Sequence, residues 1–308
     1  KSFHFVAEGY GNVQGVPLRL ANPYFARMSS SSTATVLGDA MAQSPTFFTL
    51  SEIGGNDVLG YALNGGYNPL IEETPFTAEV PASNAIYQSD NMVSPADYGT
   101  NDITNADVFA SVFSSMVATL TSNGAKGVVA NVPYITNLAH FITVPYNPVP
   151  LDSGTATQLN GAFAAYNAGL QQILDLKNAN QLPAQVLPLL VNYDQAEVDR
   201  RQVNFVAGQN AVLILDENLS NLTPINAALT NMRQATAADL LVLPSSSFIG
   251  TLKDNNPQLI NGVSVPLADK WVLTPQEQLI IKTATDAYNT SIAAVASANP
   301  NVALVDFK

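Results

Sequence analysis

The chain has 308 residues, 47% of them apolar, with 24 acidic against 12 basic side chains and a formal net charge of -12. That balance argues against sequence-independent binding to nucleic acid and against electrostatic docking on anionic lipid, both of which need a Lys/Arg patch. There is no cysteine, so disulfides, thiolate nucleophiles and thiolate metal sites are excluded together, and no apolar stretch is long enough to span a bilayer. In chain order, the pattern first predicts a short helix over Thr35 to Gln43 and a strand over "TFFTL" (46–50). A helix over 103–122 follows, with Phe109, Val112, Phe113, Met116 and Leu120 on one face and Gly124 as its stop. Next come a strand over "GVVANV" (127–132) and a helix over 155–176 that aligns Leu159, Phe163, Tyr166, Leu170, Ile173 and Leu174. "DLLVL" (239–243) reads as a further strand. Thr274-Pro275-Gln276-Glu277 then supplies an N-cap, a proline at the first helical position and a glutamate that closes a capping box. It opens a helix over 275–298 whose buried face is expected to hold Leu279, Ile280, Ala284, Tyr288, Ile292 and Val295. "VALVD" (302–306) is the last strand.

Short, nearly continuous apolar runs are the mark of strands buried on both faces. Their alternation with amphipathic helices predicts a three-layer α/β/α fold with a parallel sheet, of flavodoxin-like type. The longest loops, 64–100 and 141–153, are rich in Pro, Asn and Gly, and no repeat or linker interrupts the chain, so residues 1–308 read as a single domain. In parallel sheets the chemistry gathers at the carboxyl ends of the strands. "GGND", Gly54 to Asp57, lies just past the end of the first strand. Paired glycines allow a sharp turn and a close approach to the backbone. Asn56 then offers a neutral amide donor suited to an oxyanion. The plainer alternative is an Asn/Asp turn that satisfies only its own backbone.

The other chemistry-bearing residues are weaker candidates. His4 and His140 are isolated from each other, and no clustered set of metal ligands stands out. Ser245, Ser246 and Ser247 follow a predicted strand but lack the Gly-x-Ser-x-Gly elbow, which favours a turn or helix cap. Asp90, Asp97, Asp102 and Asp107 are spaced too loosely for a calcium loop and read as a solvated acidic stretch. Tyr61, Tyr67, Phe76, Tyr134, Phe141 and Tyr146 are candidates either to line an acyl or glycan pocket or to cover the core.

The surroundings of "GGND" carry a resemblance. "FFTLSEIGGNDVLGYAL" is similar to the third sequence block, Gly-x-Asn-Asp, of the SGNH (GDSL-type) hydrolases, and "NGAKGVVANVPYITN" (123–137) and "VLTPQEQLIIKTATDAYN" (272–289) extend it. It looks closest to a group of bacterial extracytoplasmic, lipoprotein-type esterases and covers most of Lys1 to Lys308. The resemblance implies that Asn56 and Gly54 belong to an oxyanion-hole block. Two departures accompany it. The family's first block, Gly-Asp-Ser with the nucleophile, is absent; the one Gly-Asp, Gly38-Asp39, is followed by Ala40 inside a helical pattern. The Asp-x-x-His block that carries the base is absent too. The expectation is a domain lacking its N-terminal strand and C-terminal segment, with Ser and His supplied by chain outside these residues. The implied function is hydrolysis of acyl esters, small or lipid, without a cofactor or metal. The implied location is extracytoplasmic, in the periplasm or at the outer-membrane surface, with anchoring through a preceding N-terminus. The alternative is a non-catalytic accessory subunit that binds a protein partner in a cell-envelope assembly.

Overall fold

The computed structural model describes residues 25–31, 34–68, 83–84, 87, 99 and 101–307. Its helices and strands run, in chain order, α1 (Val36–Ala42), β1 (Phe47–Leu50), α2 (Gly55–Leu63), β2 (Tyr67–Asn68), β3 (Ser83–Asn84), α3 (Ala106–Thr121) and β4 (Lys126–Ala130). They continue with α4 (Ala139–Ile142), β5 (Val149–Leu151), α5 (Ser153–Asn178), α6 (Gln195–Arg201), β6 (Gly208–Asn210), β7 (Leu213–Leu215) and β8 (Met232–Gln234). The last are β9 (Leu240–Leu241), α7 (Ser245–Phe248), β10 (Val272–Leu273), α8 (Pro275–Ala298) and β11 (Val302–Val305). The chain divides into two compact units, one of Lys1–Ile135 with Gln278–Lys308, the other of Thr136–Glu277.

The first unit is organised on a parallel sheet of order β1-β4-β11. The runs "TFFTL", "GVVANV" and "VALVD" supply its strands, adjacent and parallel as their alternation with helices requires. Burial on both faces, however, holds only for the middle strand, where Gly127, Val129 and Ala130 are buried. Among the described residues β1 and β11 each have a neighbour on one side only, and Phe47, Leu304 and Val305 remain 58%, 41% and 37% exposed. Phe48 stands opposite Gly127 in the register. Its ring occupies the space where a side chain at 127 would be, with ring atoms 2.2–2.4 Å from the position of such a Cβ.

The helices of this unit form for the reasons the periodicity gave. Asn105 caps α3 by accepting from the N–H groups of Asp107 and Val108, and the buried stripe is Phe109, Phe113, Met116, Val117 and Leu120. On α8 the stripe differs from the expected one. Leu279 is 63% exposed and Ile281 is buried, followed by Ala284, Tyr288 and Ile292. Positions i and i+2 on a helix point about 200° apart, so choosing Ile281 as the inward position turns Leu279 outward. Phe109 and Tyr288 stack with centroids 3.9 Å apart, joining α3 to α8. Asn289 closes both backbone groups of Val132, accepting from its N–H at 2.7 Å and donating to its C=O at 2.8 Å.

The second unit is built around α5, which buries Phe163, Tyr166, Leu170, Ile173 and Leu174 against Tyr193, Phe205, Val212 and Leu241, among others. "DLLVL" does not join the parallel sheet. Only Leu240 and Leu241 form a strand, paired antiparallel with β10. A parallel strand needs a long crossover, usually a helix, but here Pro244 and the four-residue α7 end the run at once. Asp239 is held elsewhere, its carboxylate accepting from the Arg233 guanidinium at 2.7 and 2.8 Å. The capping box at Thr274 is present. Glu277 Oε2 accepts from the Thr274 N–H at 2.7 Å and the Glu277 N–H donates back to Thr274 Oγ1 at 3.4 Å. The fold is thus mixed α/β, a three-strand parallel sheet accompanied by four two-stranded antiparallel ones among the described residues.

Candidate functional site

β1 leaves the sheet at Leu50, and a turn closed by the Gly55 N–H on the Glu52 carbonyl leads into α2. Gly54 is the N-cap of that helix, with φ +87°. A Cβ there would lie 2.6 Å from a Phe109 ring carbon and 2.8 Å from one of Tyr288. Both the left-handed backbone and the stacked rings therefore demand glycine. Asp57 is buried, and its Oδ2 accepts from the Thr104 N–H and from the Tyr288 hydroxyl, each at 2.7 Å. Burial raises the pKa of that tyrosine well above its ordinary value. Thus three members of the block have different assignments: Gly54 shapes the turn, Asp57 anchors it, and Asn56 is left over. Asn56 sits in the first turn of α2, exposed, and its side chain makes no hydrogen bond to the described residues. The amide is not spent on the described residues of its own loop.

The neighbouring strand exits complete this edge of the sheet. A Cβ on Gly55 would lie 3.9 Å from Val132 Cγ1, so the chain leaving β1 and the chain leaving β4 run side by side. Asn131 ties the exit of β11, donating to Asp306 Oδ1 at 2.6 Å and accepting from the Phe307 N–H at 2.7 Å. The Tyr134 hydroxyl donates to Asp286 at 2.5 Å, and Lys282 pairs with the other oxygen of that carboxylate.

The remaining sequence candidates take ordinary positions. Gly38-Asp39 lies inside α1, with the Asp39 carboxylate accepting from the backbone and hydroxyl of Ser30, bonds that hold its pKa below the usual value. His140 lies on α4 with its ring edge-on to Phe141, and its Nε2 is buried without a partner among the described residues. Ser246 and Ser247 donate to the carbonyls of Leu243 and Pro244, the turn bonding expected of them, while Ser245 is fully buried. Asp102 accepts from the Gly99 N–H and Asp107 sits in the first turn of α3. Tyr61 and Phe141 are core residues, and Tyr146 packs on the core of the second unit. His4, Phe76, Asp90 and Asp97 lie outside the described residues.

One group escaped the sequence reading. In the second unit, Glu217, Asp269 and Glu277 each bring a carboxylate oxygen within 4.8 Å of the other two. Glu217 follows β7, Asp269 begins the 3-10 turn before β10, and Glu277 closes the capping box. Burial and the charges of Glu277 and Glu217 push Asp269 up to about 9, and burial with the charge of Glu217 pushes Glu277 up to about 8. Glu217 is raised as well, by burial first. The three come from separate stretches, and each has a bland local reading, so no spacing signal existed to join them. No family model matches the chain, and no curated protein or solved structure matches it.

Proposed function

We propose that this chain is the scaffold of an ester hydrolase of the SGNH type, with Asn56 as an oxyanion donor. The observation that carries the reading is Asn56 itself: an exposed amide without a partner among the described residues, on the first turn of the helix that follows a parallel strand, in a turn locked from below by Gly54 and Asp57. The three-layer arrangement and the extracytoplasmic setting of that family belong to the same reading. In this mechanism a serine oxygen attacks the ester carbonyl, a histidine takes its proton, and the carbonyl oxygen becomes an anion. The Asn56 amide and nearby backbone N–H groups meet that charge as it develops, so their effect is on the transition state more than on the bound ester. The serine and histidine motifs are not within residues 1–308, and the reading applies to a protein that carries them in register with Asn56. The substrate is an acyl ester, water-soluble or lipid.

The test uses the product of the complete gene and a p-nitrophenyl ester of a short acid. Turnover by the wild type is expected. Asn56→Ala is expected to lower kcat by roughly 10²–10³-fold with little change in KM, the usual loss for one oxyanion donor. Absence of turnover in the folded protein, or an unchanged kcat in the variant, would overturn the reading.

A further inference from the structure

We propose that the loop between α5 and α6, in the second unit, docks on the surface of a zwitterionic phospholipid bilayer, a role independent of the ester chemistry. Residues 179–193 carry no charged side chain. Within them Leu187, Leu189 and Val191 are 42%, 38% and 75% exposed, and Pro183 and Pro188 are exposed beside them. Single apolar residues at a surface are ordinary, but an exposed run of them points to a contact. The run is not loose chain. Asn180, at φ +54°, turns the chain out of α5, and the Gln181 N–H donates back to the Leu176 carbonyl at 2.9 Å. Leu182 packs against the core of the unit, and Leu190 and Tyr193 are fully buried in it. The Tyr193 hydroxyl donates to the Leu170 carbonyl at 2.8 Å, and the Lys177 ammonium donates to the Tyr193 carbonyl at 2.6 Å. The apolar run is therefore presented with its conformation already fixed, and little ordering cost remains to be met on docking.

Two features select a bilayer over other occupants. Backbone that enters hydrocarbon must satisfy its own polar groups. Here the N–H groups of Val186, Leu189 and Tyr193 donate to the carbonyls of Pro183, Val186 and Leu190 at 3.1, 3.1 and 3.0 Å, and Pro183 and Pro188 have no N–H to satisfy. The second feature is the placement of charge. Asp175 and Asp194, both exposed, stand at the two ends of the loop. In that position they meet the outermost ammonium groups of choline or ethanolamine lipids while the uncharged run between them enters the boundary with the acyl chains. Anionic headgroups would repel the same carboxylates, and a net charge of -12 opposes docking of a second copy. Insertion of so few side chains is shallow and reversible, its strength set by the apolar area that leaves water.

The test is sedimentation of the complete chain, prepared without covalent lipid, with phosphatidylcholine vesicles. We expect saturable partition that added salt does not weaken, because it rests on apolar burial and not on charge. Replacing a third of the lipid by phosphatidylglycerol should reduce it. The double variant Leu187→Gln with Val191→Gln should bind at least about tenfold more weakly, with an unchanged melting temperature because both side chains are exposed. A second readout locates the contact. The chain has one tryptophan, Trp271, and Val191→Trp adds an indole at the most exposed of the three positions. Brominated phosphatidylcholine should quench the emission of that variant well beyond the quenching in the wild type. No partition of the wild type into phosphatidylcholine would overturn the proposal, and so would partition that needs anionic lipid. Full binding by the folded double variant, or no added quenching in Val191→Trp, would overturn it as well.

Discussion

Within the tetrapeptide Gly54 to Asp57, neighbouring residues should respond in opposite ways to substitution. Gly54→Ala must place a methyl 2.6 Å from Phe109 and 2.8 Å from Tyr288 and hold alanine at φ +87°. Backbone strain and overpacking together should cost about 2–4 kcal/mol, read as a shift in chemical denaturation. Asp57→Ala removes the acceptor for the Thr104 N–H and the Tyr288 hydroxyl. The hydroxyl has a second acceptor, the Thr104 carbonyl at 2.7 Å, so one orphaned N–H sets the loss at about 2–3 kcal/mol. Asn56→Ala should change stability by less than about 0.5 kcal/mol, because the side chain is exposed and unbonded. A large loss at Asn56, or none at Asp57, would reverse these roles. The sequence made this block visible but not its division of labour. Asn and Asp are equally good turn residues, and only Thr104 and Tyr288, remote in the chain, decide which one is consumed.

At the level of elements, α6 is held by a single buried cation. Arg201 is fully buried, pairs with Glu197 one turn earlier at 3.2 Å, and donates to the carbonyls of Ser220 and Thr230 at 2.8 Å. Glu197 in turn accepts from the Ser220 N–H and hydroxyl. Arg201→Met should therefore destabilise by about 3–5 kcal/mol, since it leaves a buried carboxylate without its counter-charge. Adding Glu197→Gln should recover part of the loss; a double variant no better than the single would show that packing, not charge, dominates. The sequence pattern located the long helices α3, α5 and α8 because their stripes repeat over many turns. It misplaced Leu279, at the start of α8, where two alternative stripes overlap and only the partner surface chooses. It could not reveal α6 as a clamp, since Arg201 reads as an ordinary polar-face residue until its partners arrive from 220 and 230.

For the whole molecule, 24 acidic groups against 12 basic ones imply self-repulsion in the folded state. Raising sodium chloride from about 10 to 200 mM shortens the screening length from roughly 30 Å to below 8 Å. The melting temperature should rise over that range, and a fall would show that attractive pairs such as Lys282–Asp286 outweigh the repulsion. That β1, β4 and β11 share one parallel sheet as near neighbours was legible because continuous apolar runs separated by helices leave few other topologies; the order β1-β4-β11 came only with the structure. The small antiparallel ladders were not. β9 and β10 have two residues each, too few for any periodicity, and they exist because tertiary packing brings Leu241 opposite Val272.

The pairing of Phe48 with Gly127 bears on how the chain finds its own alignment. Runs such as "FFTL" and "GVVA" carry little information about which residue should face which, because nearly every position offers a similar apolar group. A ring that fits only over a residue without a side chain supplies that information at one point. A shift of two positions would bring Phe48 over Ala125 or Val129, and a shift of one would move the ring to the other face of the sheet. The glycine at 127 is therefore a notch and the phenylalanine its key. A single methyl added to the notch would leave the strands as sticky as before but with nothing to tell them where to stop.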